Sequence, residues 1–301
     1  MSEREQIQLG KIGFRAMWKF GGLTLWDLMI QTLKGYDKHH LSAHSAQFAY
    51  YSIFTLFPLL IVIIGCLAQL PIRGVILSVE NAINQGLPSN VSSLLFAQIE
   101  DIQQKTTLSL IGGGVFLLAW GGTRLFITME EGLDSVFEVE HRRSFLRSGG
   151  LALLLTFGVL ILLLTASILL VVGPEIASLL VTNLHSTWIN LLFSAGVRWS
   201  VACGFMLIST SVIYSAVPSI KLPWKIFTPG SIFVVTSWIL MLQGFRLYVE
   251  NFAHYNETYG TIGGFIVLLA WLYLTGAILM IGGEINGVIY RAAKLKAEKS
   301  P

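Results

Sequence analysis

From Thr258 to Gly283 the chain runs 26 residues without a charged side chain and then reaches Glu284. At about 1.5 Å per residue such a helix extends roughly 39 Å, more than the roughly 30 Å hydrocarbon thickness of a bilayer. The run therefore predicts a membrane-spanning helix with Glu284 at or near its polar boundary. Five further stretches share this character: one within Leu41 to Ile72, one beginning near Leu108, one charge-free from Ser148 to Pro174, one from about Asn190 to Val217 interrupted by Arg198, and one from Ile226 to Phe245. Composition leaves little alternative. Only 20 Lys or Arg and 17 Asp or Glu serve 301 residues, of which 54% are hydrophobic, and no soluble globule of this size hides that much apolar surface. Backbone groups inside lipid must pair within their own segment, so each run is expected to be a helix. The expected fold is all-α: a polytopic membrane helix bundle of about six transmembrane helices, at about 48–70, 108–128, 150–172, 192–217, 226–246 and 260–283, within a membrane domain 41–287.

The basic residues orient the bundle. Segments on one side carry Arg4, Lys11, Arg15, Lys19, Lys34 and Lys38, then Arg124, Arg142, Arg143 and Arg147, then Lys221 and Lys225, and finally Arg291, Lys294, Lys296 and Lys299. The alternate segments carry Arg73, Lys105, Arg198 and Arg246. Positive charge collects on the cytoplasmic side, so both termini are expected in the cytoplasm, as an even number of spans requires. The charged start MSEREQIQLGKIGFRAMWKF lacks the apolar core of a cleavable signal peptide, which leaves the first span as its own insertion signal.

Two segments outside the spans have helical periodicity. Within the cytoplasmic stretch 1–40, Leu23, Trp26, Met29, Ile30 and Leu33 share one face, and Thr24, Asp27, Gln31 and Lys34 another. This pattern fits an interfacial amphipathic helix on the cytoplasmic leaflet, or equally a helix packed under the bundle. The Arg73–Lys105 loop is long and carries apolar residues at helical spacing on either side of GLPSN, which predicts a helical outer loop. Residues 288–301 are expected to form a basic cytoplasmic tail. Cys66 and Cys203 lie in apolar runs and are read as buried thiols without disulfide or metal roles.

Candidate functional residues are the polar groups that such a bundle must accommodate. Glu284 is either a boundary carboxylate, hydrated or paired locally, or it faces the bundle with Asn286 and meets Arg124, at the cytoplasmic end of the second span; an ion pair offsets the cost of a charge near the membrane. A faint repeat argues against that pairing. IGGGVFLLAW at 111–120 and IGGFIVLLAW at 262–271 agree at seven of ten positions, and aligning them puts Glu284 nine residues beyond the position of Arg124, about 13 Å along the axis. Pro58 is the candidate helix break, since proline frees a carbonyl one turn earlier. Gln47, Gln69 and Gln243 suit hydrogen bonds between helices.

The segments SAQFAYYSIFTLFPLL at 45–60, AWGGTRLF at 119–126, VPSIKLPWKIFTPG, and YVENFAHYNETYG continuing into the Tyr259–Asn286 run resemble the YihY/BrkB family of bacterial inner-membrane proteins. The resemblance covers most of residues 15–290 and implies a six-helix integral membrane protein of the bacterial inner membrane. Family labels mention ribonuclease BN and a virulence factor. Where the family tends to have Asn after the second span, this chain has Asp134.

The nuclease label finds little support in the residues. Metal-dependent phosphodiester hydrolysis needs clustered His, Asp or Glu, whereas His39, His40, His44, His141, His185 and His254 are scattered. His40 and His44, with Asp37 near, are read as interfacial histidines rather than a metal pair. No phosphate-binding glycine loop or nucleophile elbow occurs. The expectation is a protein without enzymatic activity, cofactor or nucleic-acid partner, embedded in the bilayer and transporting or sensing a small solute, ion or lipid. A non-catalytic scaffold or envelope-assembly factor is the alternative, and a membrane-associated ribonuclease the third reading. A homo-oligomer is compatible with this composition.

Overall fold

The computed structural model describes residues 17–68, 107–139, 143–184, 195–220, 227–251 and 255–298. Among these residues the chain is helical and contains no strand. After a 3-10 turn at Phe20–Gly22 come α1 (Leu25–Lys38), α2 (Leu41–Ala68), α3 (Leu108–Val136), α4 (Phe145–Leu184), α5 (Ala195–Ala216), α6 (Pro229–Asn251) and α7 (Tyr255–Glu298). Four of these helices, α2, α3, α4 and α7, are long and apolar enough to cross a membrane, and α5 and α6 contain shorter apolar helical stretches at Cys203–Ala216 and Pro229–Phe245. Among the described residues, helix is found within each expected span. The outer loop expected at 73–105 lies outside the described residues, as do Gln69 and His141, His185 and His254.

One core lies at the end of the bundle where α1 sits. Leu41 and Phe48 of α2, Met129, Leu133 and Val136 of α3, Ala152 of α4, Tyr214 of α5, Val234 of α6 and Met280 of α7 are buried together. Small residues allow the approach. A side chain on Gly132 would meet Met280, one on Gly283 would meet Leu133, and one on Gly287 would meet Val136. These contacts run in the same order along both helices, so α3 and α7 lie side by side and parallel. The repeat copies therefore stand at equal depth, yet their tryptophans differ: Trp120 is 48% exposed and Trp271 is buried against Trp238 and Phe245. Farther along, Val62, Leu118 and Leu160 join α2, α3 and α4. Phe116, Leu154 and Leu240 stay exposed, as lipid-facing positions should.

Three expectations need correction. The division at residue 287 has no structural counterpart, because α7 continues to Glu298 and Val288, Ile289 and Ala293 are buried. Val288 and Ile289 pack with Leu28 of α1 and with Met17, Phe20 and Leu23, and a side chain at Gly21, whose φ is +65°, would overlap Ala292. Second, α1 does pack on the bundle, but through Leu28, Thr32 and Gly35, and it leaves the expected apolar face at Trp26, Met29 and Leu33 outward. The small Gly35, rather than maximal hydrophobicity, selects the seam. Third, Cys66 and Cys203 are free but only half-buried.

Candidate functional site

Glu284 has no exposure at all, and both of its carboxylate oxygens are engaged. His39 Nδ1 stands 2.7 Å from Oε2, and Arg291 Nη2 donates to Oε1 at 2.6 Å. His39 follows the last turn of α1, while Arg291 lies seven residues on from Glu284, two turns along α7 and on the same face. Gly35 lies directly over the carboxylate, and any Cβ there would overlap it. Arg291 also donates through Nη1 to the Val136 carbonyl, at the C-terminal end of α3 where helix carbonyls carry partial negative charge. Gly287 keeps that route open, since a Cβ there would come within 3.3 Å of Nη1. The guanidinium thus ties α7 to α3, and His39 ties both to α1.

The network reaches the surface through Glu138. Lys38 Nζ donates to Glu138 Oε1 at 2.5 Å, and His39 Nε2 lies 3.6 Å from the same oxygen. Lys38 beside it, together with Arg291, holds the Glu138 carboxyl below its ordinary value of 4.5, with burial opposing. The sign follows from linkage: a depressed folded pKa stabilises the structure fully above 4.5, and the contribution is lost as pH falls through the lower folded value. Hydrogen exchange across α1 should therefore accelerate in acid below that range. Glu138→Gln should weaken α1 docking at neutral pH and flatten this acid dependence, by less than about 1 kcal/mol because the pair is half exposed.

Asn286 has a different role. Its Oδ1 accepts from the Gly230 amide at 3.0 Å and its Nδ2 donates to Thr228 Oγ1 at 3.1 Å. Thr228 Oγ1 in turn accepts from the Ser231 amide at 3.0 Å. Both satisfy amides that a helix start leaves unpaired, so Asn286 extends the cap of α6 from a neighbouring helix.

Arg124 is not among the partners of Glu284. Glu284 is level with Leu133, nine residues further along α3, because Gly283 contacts that leucine. The separation of about 13 Å along the axis puts the guanidinium out of reach. Arg124 instead is exposed and lines a cleft of about 480 Å³ between α2 and α3, with Ala46, Gln47, Tyr50, Tyr51, Ile127, Thr128 and Glu131. Pro58 also departs from expectation, since α2 runs through it as one helix. The Phe54 carbonyl that Pro58 cannot bond faces Gly121 of α3, where the two backbones approach closely. His40 does not sit with His44 within one helix: the chain turns at His39 and His40, the latter with φ +50°.

A second polar cluster went unrecognised in the sequence. Asp134 accepts from the Ser219 amide and hydroxyl, both at 2.6 Å, and Glu130 Oε1 accepts from Ser148 and Ser219. Arg143 donates to the carbonyls of Ala216, Val217 and Pro218. Together they fasten the turn after α5 onto α3. The available signal was Glu130 and Asp134 at i, i+4, one helical face of acids directly after an apolar run.

Comparison with known proteins finds relatives described as membrane proteins. The family model described as virulence factor BrkB matches residues 32–301. A ribonuclease-like protein, YfkH, of Bacillus subtilis (strain 168) is 33% identical over 267 residues, covering 87% of this chain and 95% of that one. A UPF0761 membrane protein of Vibrio parahaemolyticus is 22% identical over 262 residues, covering 85% and 80%. A UPF0761 membrane protein of Aeromonas salmonicida is 20% identical over 268 residues, covering 88% and 89%. No solved structure matches the chain. The resemblance carried by the Tyr50–Pro58 and Tyr259–Asn286 segments is thereby borne out, and the chain belongs to the virulence factor BrkB family of membrane proteins.

Proposed function

We propose that this protein sits in the bacterial inner membrane with both termini in the cytoplasm and transports or senses a small solute, ion or lipid, without catalysing covalent chemistry. The observation that carries the reading is the cleft between α2 and α3, where Arg124, Glu131, Gln47 and Thr128 present polar groups beside Tyr50 and Tyr51 at the side of an apolar bundle. Convergent polar groups in a cavity of this size are what a small-ligand site requires. Glu284, by contrast, is fully engaged within the protein and serves as an anchor. The bias of basic residues toward the two terminal segments and the α3–α4 connection supports the orientation.

Flux in proteoliposomes tests the reading, with panels of ions, metabolites and fluorescent lipids. Flux by the native chain should fall about tenfold or more in Arg124→Gln, a change at an exposed side chain. No flux or ligand response from any panel would remove the reading in favour of a scaffold. The scaffold alternative has its own support in the outward apolar face of α1, at Trp26, Met29 and Leu33.

The ribonuclease-like name belongs to the Bacillus subtilis relative. For this chain we expect no hydrolysis, because His39, the buried histidine of this end of the bundle, is committed to Glu284. Nuclease-free protein incubated with structured RNA and zinc, magnesium or manganese should leave the RNA intact, and cleavage above a mock preparation would revive the label.

A further inference from the structure

The cleft has an order along its length. On α3, residues 108–123 carry no charge, Trp120 is exposed, Arg124 comes one turn later and Glu131 two turns after that. Alongside, exposed Tyr50, Phe54 and Trp120 form an aromatic row, with ring centroids 4.8 and 6.3 Å apart. Such rings gather at the level of lipid headgroups. Arg124 is the first charge after the apolar run, so it stands where that run meets the headgroup layer.

Arg124 and Glu131 both line the cleft, and neither side chain has a hydrogen-bond or ion-pair partner among the described residues. Seven residues apart on one helix, about 10.5 Å along the axis, they are not placed to pair with each other as i, i+4 residues do. A cation and an anion facing the same space therefore await complementary charges, anion nearer the membrane centre and cation nearer water.

We propose that this cleft binds the headgroup of an amine-bearing zwitterionic phospholipid, of the phosphatidylethanolamine type. The proposal rests on the reading of the cleft as the ligand site and names its ligand class. Arg124 donates to the phosphate oxygens and Glu131 accepts from the primary ammonium, both as charge-assisted hydrogen bonds. The acyl chains run along α3 past Trp120 and Phe116, exposed on the apolar side. Chains, phosphate and ammonium then follow each other in the lipid in the same sequence as the apolar run, Arg124 and Glu131 do in the helix. An anionic glycerol headgroup would satisfy Arg124 but set no ammonium against Glu131. The shared chemistry, a phosphate linked to a primary amine, is also that of soluble O-phosphoethanolamine.

The test is native mass spectrometry of the purified full chain with equal amounts of phosphatidylethanolamine and phosphatidylglycerol, beside calorimetric titration with O-phosphoethanolamine. The native chain should retain phosphatidylethanolamine preferentially. Arg124→Gln should weaken retention of both lipids about tenfold, with Arg124→Lys partly restoring it, and Glu131→Gln should abolish the preference while phosphatidylglycerol binding persists. Unchanged melting temperatures confirm that the variants fold. Equal retention of both lipids by the native chain, or unaltered retention in both neutral variants, overturns the proposal. Tighter binding of O-phosphoethanolamine than of the lipid, lost in the same variants, overturns the lipid source. Lipid binding without flux sinks transport and leaves the headgroup site standing; solute flux lost in Arg124→Gln without lipid selectivity does the reverse.

Discussion

Glu284→Gln lowers the stability of the folded protein by about 3 kcal/mol or more, the cost expected when one member of a buried ion pair is removed and its partners stay behind. The carboxylate sits at zero exposure between His39 and Arg291 under Gly35, so no water replaces the lost charge without moving α1. Glutamine preserves the volume and one acceptor, which isolates the charge from the packing. The denaturation midpoint in mild detergent should fall, and amide exchange in α1 should rise most. A double variant separates network from packing: Arg291→Gln added to Glu284→Gln should cost much less than the sum of the single changes, because the two act on one interaction. Simple additivity would show that the carboxylate and the guanidinium are independent.

Gly230→Ala should be the most damaging single methyl in the described chain. A Cβ at this position would overlap the Gly282 carbonyl oxygen and the Asn286 amide at once. Backbone of α7 cannot yield as a flexible side chain can, so the start of α6 must lift away. The lift breaks the Gly230–Asn286 and Thr228–Asn286 hydrogen bonds together. Overpacking costs about 1–3 kcal/mol and loss of a cap about 1 kcal/mol more. Thermal melting beside Gly113→Ala, where nothing lies within 4 Å, supplies the control. Equal melting temperatures for the two variants would refute the tight α6–α7 contact.

The fold class was legible because bilayer thickness converts charge-free length into helices with few alternatives. The depth of Glu284 was legible too, since aligning the two LLAW copies already placed it beyond Arg124, and α3 and α7 do run parallel at matched levels. Its partners were not. His39 lies 245 residues away in sequence and stands in an interhelical turn, where no periodicity marks it. Arg291 was hidden by reading 288–301 as a tail, although Val288 and Ile289 continue the apolar pattern of the helix. Asn286 was singled out as an intramembrane polar group, but helix capping from a neighbouring helix leaves no local signature. Pro58 misled in the opposite direction, because its consequence depends on Gly121 in another helix.

The clamp between α1 and the far end of α7 also sets an order of events during synthesis. His39 leaves the ribosome long before Glu284, and at roughly 5–20 residues per second the 245 intervening residues take about 12–50 s. During that interval α1 can already meet Glu138 through Lys38, but Leu28 and Gly35 still lack their α7 partners, alongside its outward apolar face. Until the last span arrives, the part of α1 that faces α7 stays uncovered. Closure of α1 over Glu284 thus waits until translation has passed the final span, and a chain truncated before Glu284 would keep that part of the seam uncovered.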